Sequence, residues 1–169
     1  MMIKKSGSHD LTCSHDDSKK NKSARPSGFR AVNTKVPQKV GPADLTQIKY
    51  PEVQFDLKHE YNPKTSTFTP KHDGVYSIIA SIGFISDVPT DYSVRIFIVV
   101  NGVLKVADND FLGEQLPIVN LVSVSTILKL SSGDDVQVFA QATTDGTTET
   151  EPLENTVFFM NFQAARFPS

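Results

Sequence analysis

Every second residue of the segment 76–84 is apolar: Tyr76, Ile78, Ala80, Ile82 and Phe84. A period of two gathers such a set on one face of an extended strand, whereas a helix would scatter it around its circumference. The pattern returns in Tyr92, Val94, Ile96, Ile98 and Val100, with Ser93 and Arg95 between them. It returns again in Val122, Val124, Thr126, Leu128 and Leu130, against Ser123, Ser125 and Lys129. Val136, Val138 and Ala140 form another set, and Phe158, Met160, Phe162 and Ala164 close the chain. The β-branched richness of these runs also disfavours helix.

Turn signals separate the runs. Asp73-Gly74, Asn101-Gly102, Ser132-Gly133-Asp134 and Asp145-Gly146 all stand between apolar stretches. Asn101-Gly102 is the strongest hairpin signal and joins 92–100 to 103–108. Asn62-Pro63-Lys64-Thr65 reads as a second turn, joining 52–58 to 66–70. Some nine or ten short strands in about 140 residues point to an all-β sandwich or barrel.

The alternation starts late. All fifteen Phe and Tyr lie from Phe29 onward. Residues 1–26 carry six Lys/Arg and three Asp and read as a disordered polar, basic tail, leaving 27–169 as one domain. Ile3 and Leu11 are isolated, so the tail lacks the apolar core of a signal peptide. No apolar run is long enough to span a membrane. The single cysteine, Cys13, excludes an intrachain disulfide and a cysteine zinc cluster. With a net charge of −2, nothing marks a nucleic-acid surface.

The second faces of the strands are not purely polar. Val75, Ile79, Ile85, Phe97, Val99, Ile127, Phe139, Val157 and Phe159 fall on them. Two readings account for this set: a monomer whose loops cover some of it, and, the leading one, a sheet with its outer face covered by neighbouring subunits, because large exposed apolar patches invite association.

An ordered series of motifs then resembles the C1q/TNF-like jelly-roll family, in its bacterial C1q-like branch. Phe29 and Ala31 stand in an opening strand of the form F-x-A. Val53-Gln54-Phe55 precedes Tyr61-Asn62-Pro63-Lys64-Thr65-Ser66-Thr67-Phe68, with Pro70 beyond. Gly74-Val75-Tyr76, Asn101-Gly102, Leu128-Lys129-Leu130 with Gly133-Asp134 and Val136, and Phe159-Met160-Asn161-Phe162 follow in the family order. Ser66 and Asn161 stand where glycine is usual. The resemblance covers roughly 27–167. It implies a ten-stranded jelly-roll sandwich that forms a compact homotrimer. It assigns Phe29, Phe55, Tyr61, Phe68, Tyr76, Phe139, Phe159 and Phe162 to trimer or core packing. Its bacterial members include heads of spore or cell-surface collagen-like proteins, although this chain has no Gly-X-Y repeat. That implies an extracellular or spore-surface location; without the resemblance, the missing signal peptide reads as cytoplasmic.

Candidate chemistry is sparse. His59 and His72 flank one hairpin loop without a Ser or Cys nucleophile placed beside them, so an enzyme is not expected. Asp108 and Asp110 are a short pair of carboxylates two apart, a weak calcium candidate because calcium takes about 6–8 oxygens. No other cofactor is indicated. The leading expectation is a non-enzymatic trimeric module for structure or recognition. The alternative is a lectin-like or protein-receptor domain binding a ligand through loops 85–92, 107–117 and 143–155. A hydrolase on a β-sandwich is a distant third.

Overall fold

The computed structural model describes residues 26–113, 119–151 and 158–168. The expected tail, 1–26, falls outside them except for its last residue. Two antiparallel sheets face each other. The first contains β1 (Gly28–Val32), β2 (Lys39–Val40), β4 (Glu52–Asp56), β7 (Gly74–Ser86), β10 (Asn120–Leu130), β12 (Gly146–Glu149) and β13 (Asn161–Arg166). The second contains β3 (Thr46–Gln47), β5 (Tyr61–Asn62), β6 (Thr67–Phe68), β8 (Tyr92–Val100), β9 (Val103–Leu112) and β11 (Val136–Ala142). Where ten strands are expected, the described residues form thirteen, four of them only two residues long.

The chain crosses between the sheets repeatedly, which separates sequence neighbours. β7 pairs with β10 along one edge, and its other edge is shared by β13 and β12. β1 lies beyond β13, and β4 beyond β1. In the second sheet β8 is flanked by β11 and β9. This places the turn at Asn62 differently from expectation. It joins β5 to β6, with Tyr61 opposite Phe68, while residues 52–56 pair with β1 in the other sheet. The turn is right, but its first strand starts at Tyr61.

The alternation is reproduced in burial. Tyr76, Ile78, Ala80, Ile82 and Phe84 are fully buried, as are Val94, Ile96, Ile98, Val136, Val138 and Ala140 from the facing sheet. One end of the core is aromatic. The Phe29 ring stacks on Tyr61 at 4.5 Å and on Phe68 at 4.9 Å, and meets the edge of Phe162 at 4.9 Å. Tyr76 meets Phe68 at 5.7 Å. These pairs add to the burial of large rings between the sheets.

Turn chemistry agrees with the hairpin expected at Asn101-Gly102. Both residues have positive φ, 51° and 74°, which matches the twist of a two-residue hairpin. Ser66, in the place of a usual glycine, also has positive φ, 51°. Asn161 does not. It sits in β13 opposite Ser81, and its Nδ2 donates to Ser81 Oγ, so no glycine-like backbone is required there.

Candidate functional site

The apolar residues off the core divide between the two sheets, which corrects the expectation of a single covered sheet. Pairing registers sort them. Phe139 lies directly opposite Phe97 in the second sheet, with Gln47 on one side and Ala107 on the other. Both rings are half-buried on that sheet's outward face. Val99 is 5% exposed, yet it is not part of the core cluster that holds Ile98 and Val100 on either side of it. Val157 lies outside the described residues.

The first sheet carries the larger outward set. One lateral row runs Phe55, Arg30, Gln163, Ile79, Ser125. The next runs Gly28, Ala165, Ser77, Ile127. Val75 and Lys129 pair beside it. Phe55 is therefore not in the subunit core: it is 46% exposed, on an edge strand that also exposes Val53, with exposed Leu57 just beyond its end. Phe158 and Phe159 are half-buried just before β13. The Arg30 guanidinium sits 5.9 Å above the Phe158 ring, within cation–π range. Of the residues assigned to packing, Phe29, Tyr61, Phe68, Tyr76 and Phe162 are in the core. Phe55, Phe139 and Phe159 are on outward surfaces, split between two sheets.

Loops 85–92 and 143–155 meet at one end of the sandwich. The Asp87 amide donates to the Asp145 carbonyl oxygen at 3.0 Å, and Lys39 pairs with Asp87 at 2.8 Å. Lys39, Gly41, Asp44, Thr46, Asp87 and Asp145 line a groove of about 460 Å³ there. Neither the β2–β3 segment nor Lys39 is in the expected ligand loops; only a tertiary contact brings them in. Residues 152–155 of the third loop lie outside the described residues.

The segment 107–117 is not a loop over its first half. Residues 107–112 belong to β9, paired with β8, and 114–118 lie outside the described residues. Asp108 and Asp110 are thus strand residues opposite Ile96 and Val94. Each accepts from the next backbone amide, at 2.8 and 2.9 Å. Among the described residues no three His, Cys, Asp or Glu side chains are grouped to hold a metal, and two carboxylates fall far short of a calcium shell. His59 is exposed with φ 53° and lines a groove with Lys71 and Ser132, while the carbonyl of His72 accepts from the Tyr76 hydroxyl. Among the described residues no helix is long and apolar enough to cross a membrane.

No protein-family model matches the chain, and no curated protein sequence does. Solved structures do. The globular domain of zebrafish complement 1qA is similar at 15% identity, covering 85% of this chain and 98% of that one with a TM-score of 0.58. Eiger TNF from S. frugiperda gives the same identity and TM-score, covering 84% and 91%. Murine APRIL is 10% identical over 85% of this chain and all of its own, with a TM-score of 0.55. Identities this low speak for the fold alone, and the fold of this chain is an all-β jelly-roll sandwich similar to that of the C1q and TNF domains.

Proposed function

We propose that this chain is a non-enzymatic binding module that assembles as a homotrimer and offers a loop-lined end of the sandwich to a protein or carbohydrate ligand. The outward face of the first sheet carries the reading. Phe55, Val75 and Ile127 there are 46%, 43% and 62% exposed, where an antiparallel sheet ordinarily turns polar residues to water. Exposed apolar surface of this kind marks an interaction site. The motif resemblance supplies the number three. A trimer would present three copies of the groove at Asp87 and Asp145, and avidity would multiply weak contacts. The location attached to this reading, a bacterial cell or spore surface, rests on the motif resemblance alone.

Sedimentation of the full chain at micromolar concentration tests the assembly. A species of three chains is expected, and Ile127→Asp should shift it toward subunits. A stable monomer of 18.6 kDa overturns the reading. A glycan array probed with labelled chain tests the ligand class. Signal that disappears when Asp87 and Asp145 are both changed to Ala assigns the groove, and a silent array removes the carbohydrate arm.

A further inference from the structure

We infer that the contact between copies is keyed by charge: Arg30 on the sheet face of one copy meets Asp108 and Asp110 on the β9 edge of the next. The inference rests on the trimeric reading above and adds the surface that reads the face.

Arg30 is the unusual residue of the outward row. It stands between the fully buried Phe29 and Ala31 on β1, so its side chain leaves the sheet on the outward side. Its Nε is buried without a hydrogen-bond partner. Among the described residues, no carboxylate forms an ion pair with it. The two acids of the neighbouring strand are already engaged. Glu52 accepts from Thr34 and pairs with Lys35, and Asp56 accepts from the amides of Lys58, Glu60 and Tyr61. The rest of the row is neutral: Phe55, Gln163, Ile79 and Ser125. A cation among apolar groups with a buried, unpartnered donor is expensive to cover unless the covering surface brings an acceptor.

Symmetry narrows where that acceptor is. Copies related by a closed three-fold ring touch through two different patches, not through the same patch twice. Stacking the face on itself would also oppose Arg30 with Arg30. The second patch must therefore be apolar, exposed and acidic. Away from the first sheet, exposed large apolar residues concentrate on β9, which shows Val103, Leu104 and Phe111 at 55%, 50% and 61%. Among the described residues β9 forms strand pairing with β8 alone, and β10 of the other sheet lies near it. Asp108 and Asp110 are exposed on the same strand, on the side away from Phe111, and among the described residues each accepts from its own following amide. Exposed charges of this kind also discourage strand-to-strand pairing at a sheet edge. The edge is thus left to dock on a face that is apolar with a positive centre.

Charge reversal with rescue tests the pairing. Sedimentation equilibrium on the full chain compares the natural protein, Arg30→Glu, the pair Asp108→Lys with Asp110→Lys, and all three changes combined. Circular dichroism confirms that each is folded. Either reversal alone should weaken assembly by about tenfold or more, and the combined variant should regain most of the loss, as coupled charges across an interface do. A natural protein that is trimeric, with reversals that leave assembly unchanged or do not compensate, overturns the pairing and leaves the trimer standing. A natural protein that is monomeric overturns both.

Discussion

Asn101 and Asp134, 33 residues apart, are joined by a hydrogen bond from Asn101 Nδ2 to Asp134 Oδ1 at 2.8 Å. The link is reinforced on both sides. The Asp135 amide donates to Asn101 Oδ1 at 2.8 Å, and the Asn101 amide donates to the Asp135 carbonyl at 2.9 Å. Two turns that look independent in sequence, Asn101-Gly102 and Ser132-Gly133-Asp134, therefore form one clasp between the β8–β9 hairpin and the entry to β11.

The clasp should respond to acid. The Ser131 amide, then the Asn101 side chain, hold the Asp134 carboxyl below the usual aspartate range. A carboxyl depressed on folding contributes stability above its unfolded value, and that contribution is lost as pH falls through the folded one. Asp134→Ala should cost about 1–2 kcal/mol at neutral pH, the scale of two largely exposed hydrogen bonds to a charged group. In urea melts the gap from the natural protein should narrow below about pH 4. A gap of equal size on both sides would show that the carboxylate charge is irrelevant to the clasp.

Gly146 tests a different reading of a turn. Asp145-Gly146 punctuates the sequence as a turn, yet Gly146 opens β12 and is buried, without positive φ. Its glycine is needed for space. A Cβ there would meet the Phe84 ring and the Ile85 carbonyl oxygen. The carbonyl cannot yield without breaking the sheet. Gly146→Ala should therefore destabilise by about 3 kcal/mol or more, above the usual cost of overpacking. A thermal melt within error of the natural protein would mean that β12 packs less closely.

Ser66 sets two effects against each other. Its φ of 51° is strained for a residue with a Cβ, but its Oγ accepts from the Tyr50 amide at 2.9 Å in a fully buried setting. Ser66→Gly relieves about 1 kcal/mol of strain and strands a buried amide worth about 1–3 kcal/mol. Ser66→Ala strands the amide and keeps the strain. Chemical denaturation should rank the natural protein first, the Gly variant second and the Ala variant last. A Gly variant more stable than the natural protein would show that strain outweighs the bond.

The strands were legible because burial on one face forces a period of two, and the core residues of β7, β8, β10 and β11 follow from it directly. The surfaces were not. Phe55, Phe139 and Phe159 look alike in sequence, but only the strand order puts Phe139 opposite Phe97 on one sheet and Phe55 beside Arg30 on the other. The end groove was half visible. Loops 85–92 and 143–145 carry their turn residues openly, while Lys39 and Asp44 reach it through β2, a two-residue strand with no periodic signal. Asp108 and Asp110 read as a loop because acids are rare in strands; an exposed edge tolerates them.

The tyrosines predict how the fold fails in base. The Tyr61 hydroxyl donates to the Tyr50 carbonyl at 2.8 Å, and the Tyr50 hydroxyl donates to the Ser81 carbonyl at 3.2 Å. Ionising either removes a donor and places a charge among apolar side chains. Burial accordingly pushes both phenols up, and Tyr76 and Tyr92 are raised by burial as well. These are all four tyrosines of the chain. A phenol whose value rises on folding keeps its full contribution below the unfolded value of about 10, and that contribution declines as pH climbs toward the folded one. Above pH 10 the unfolded chain holds fewer protons, so stability should fall by up to about 1.4 kcal/mol per pH unit for each such tyrosine. Urea melts across the alkaline range should show that slope, and phenolate absorbance should appear together with the loss of the sheet signal in circular dichroism. Tyr61→Phe should melt earlier at neutral pH, having left the Tyr50 carbonyl unpaired, and should show a shallower alkaline slope. Phenolate absorbance that develops fully while the sheet signal is intact would mean that the aromatic end of the core is open to water.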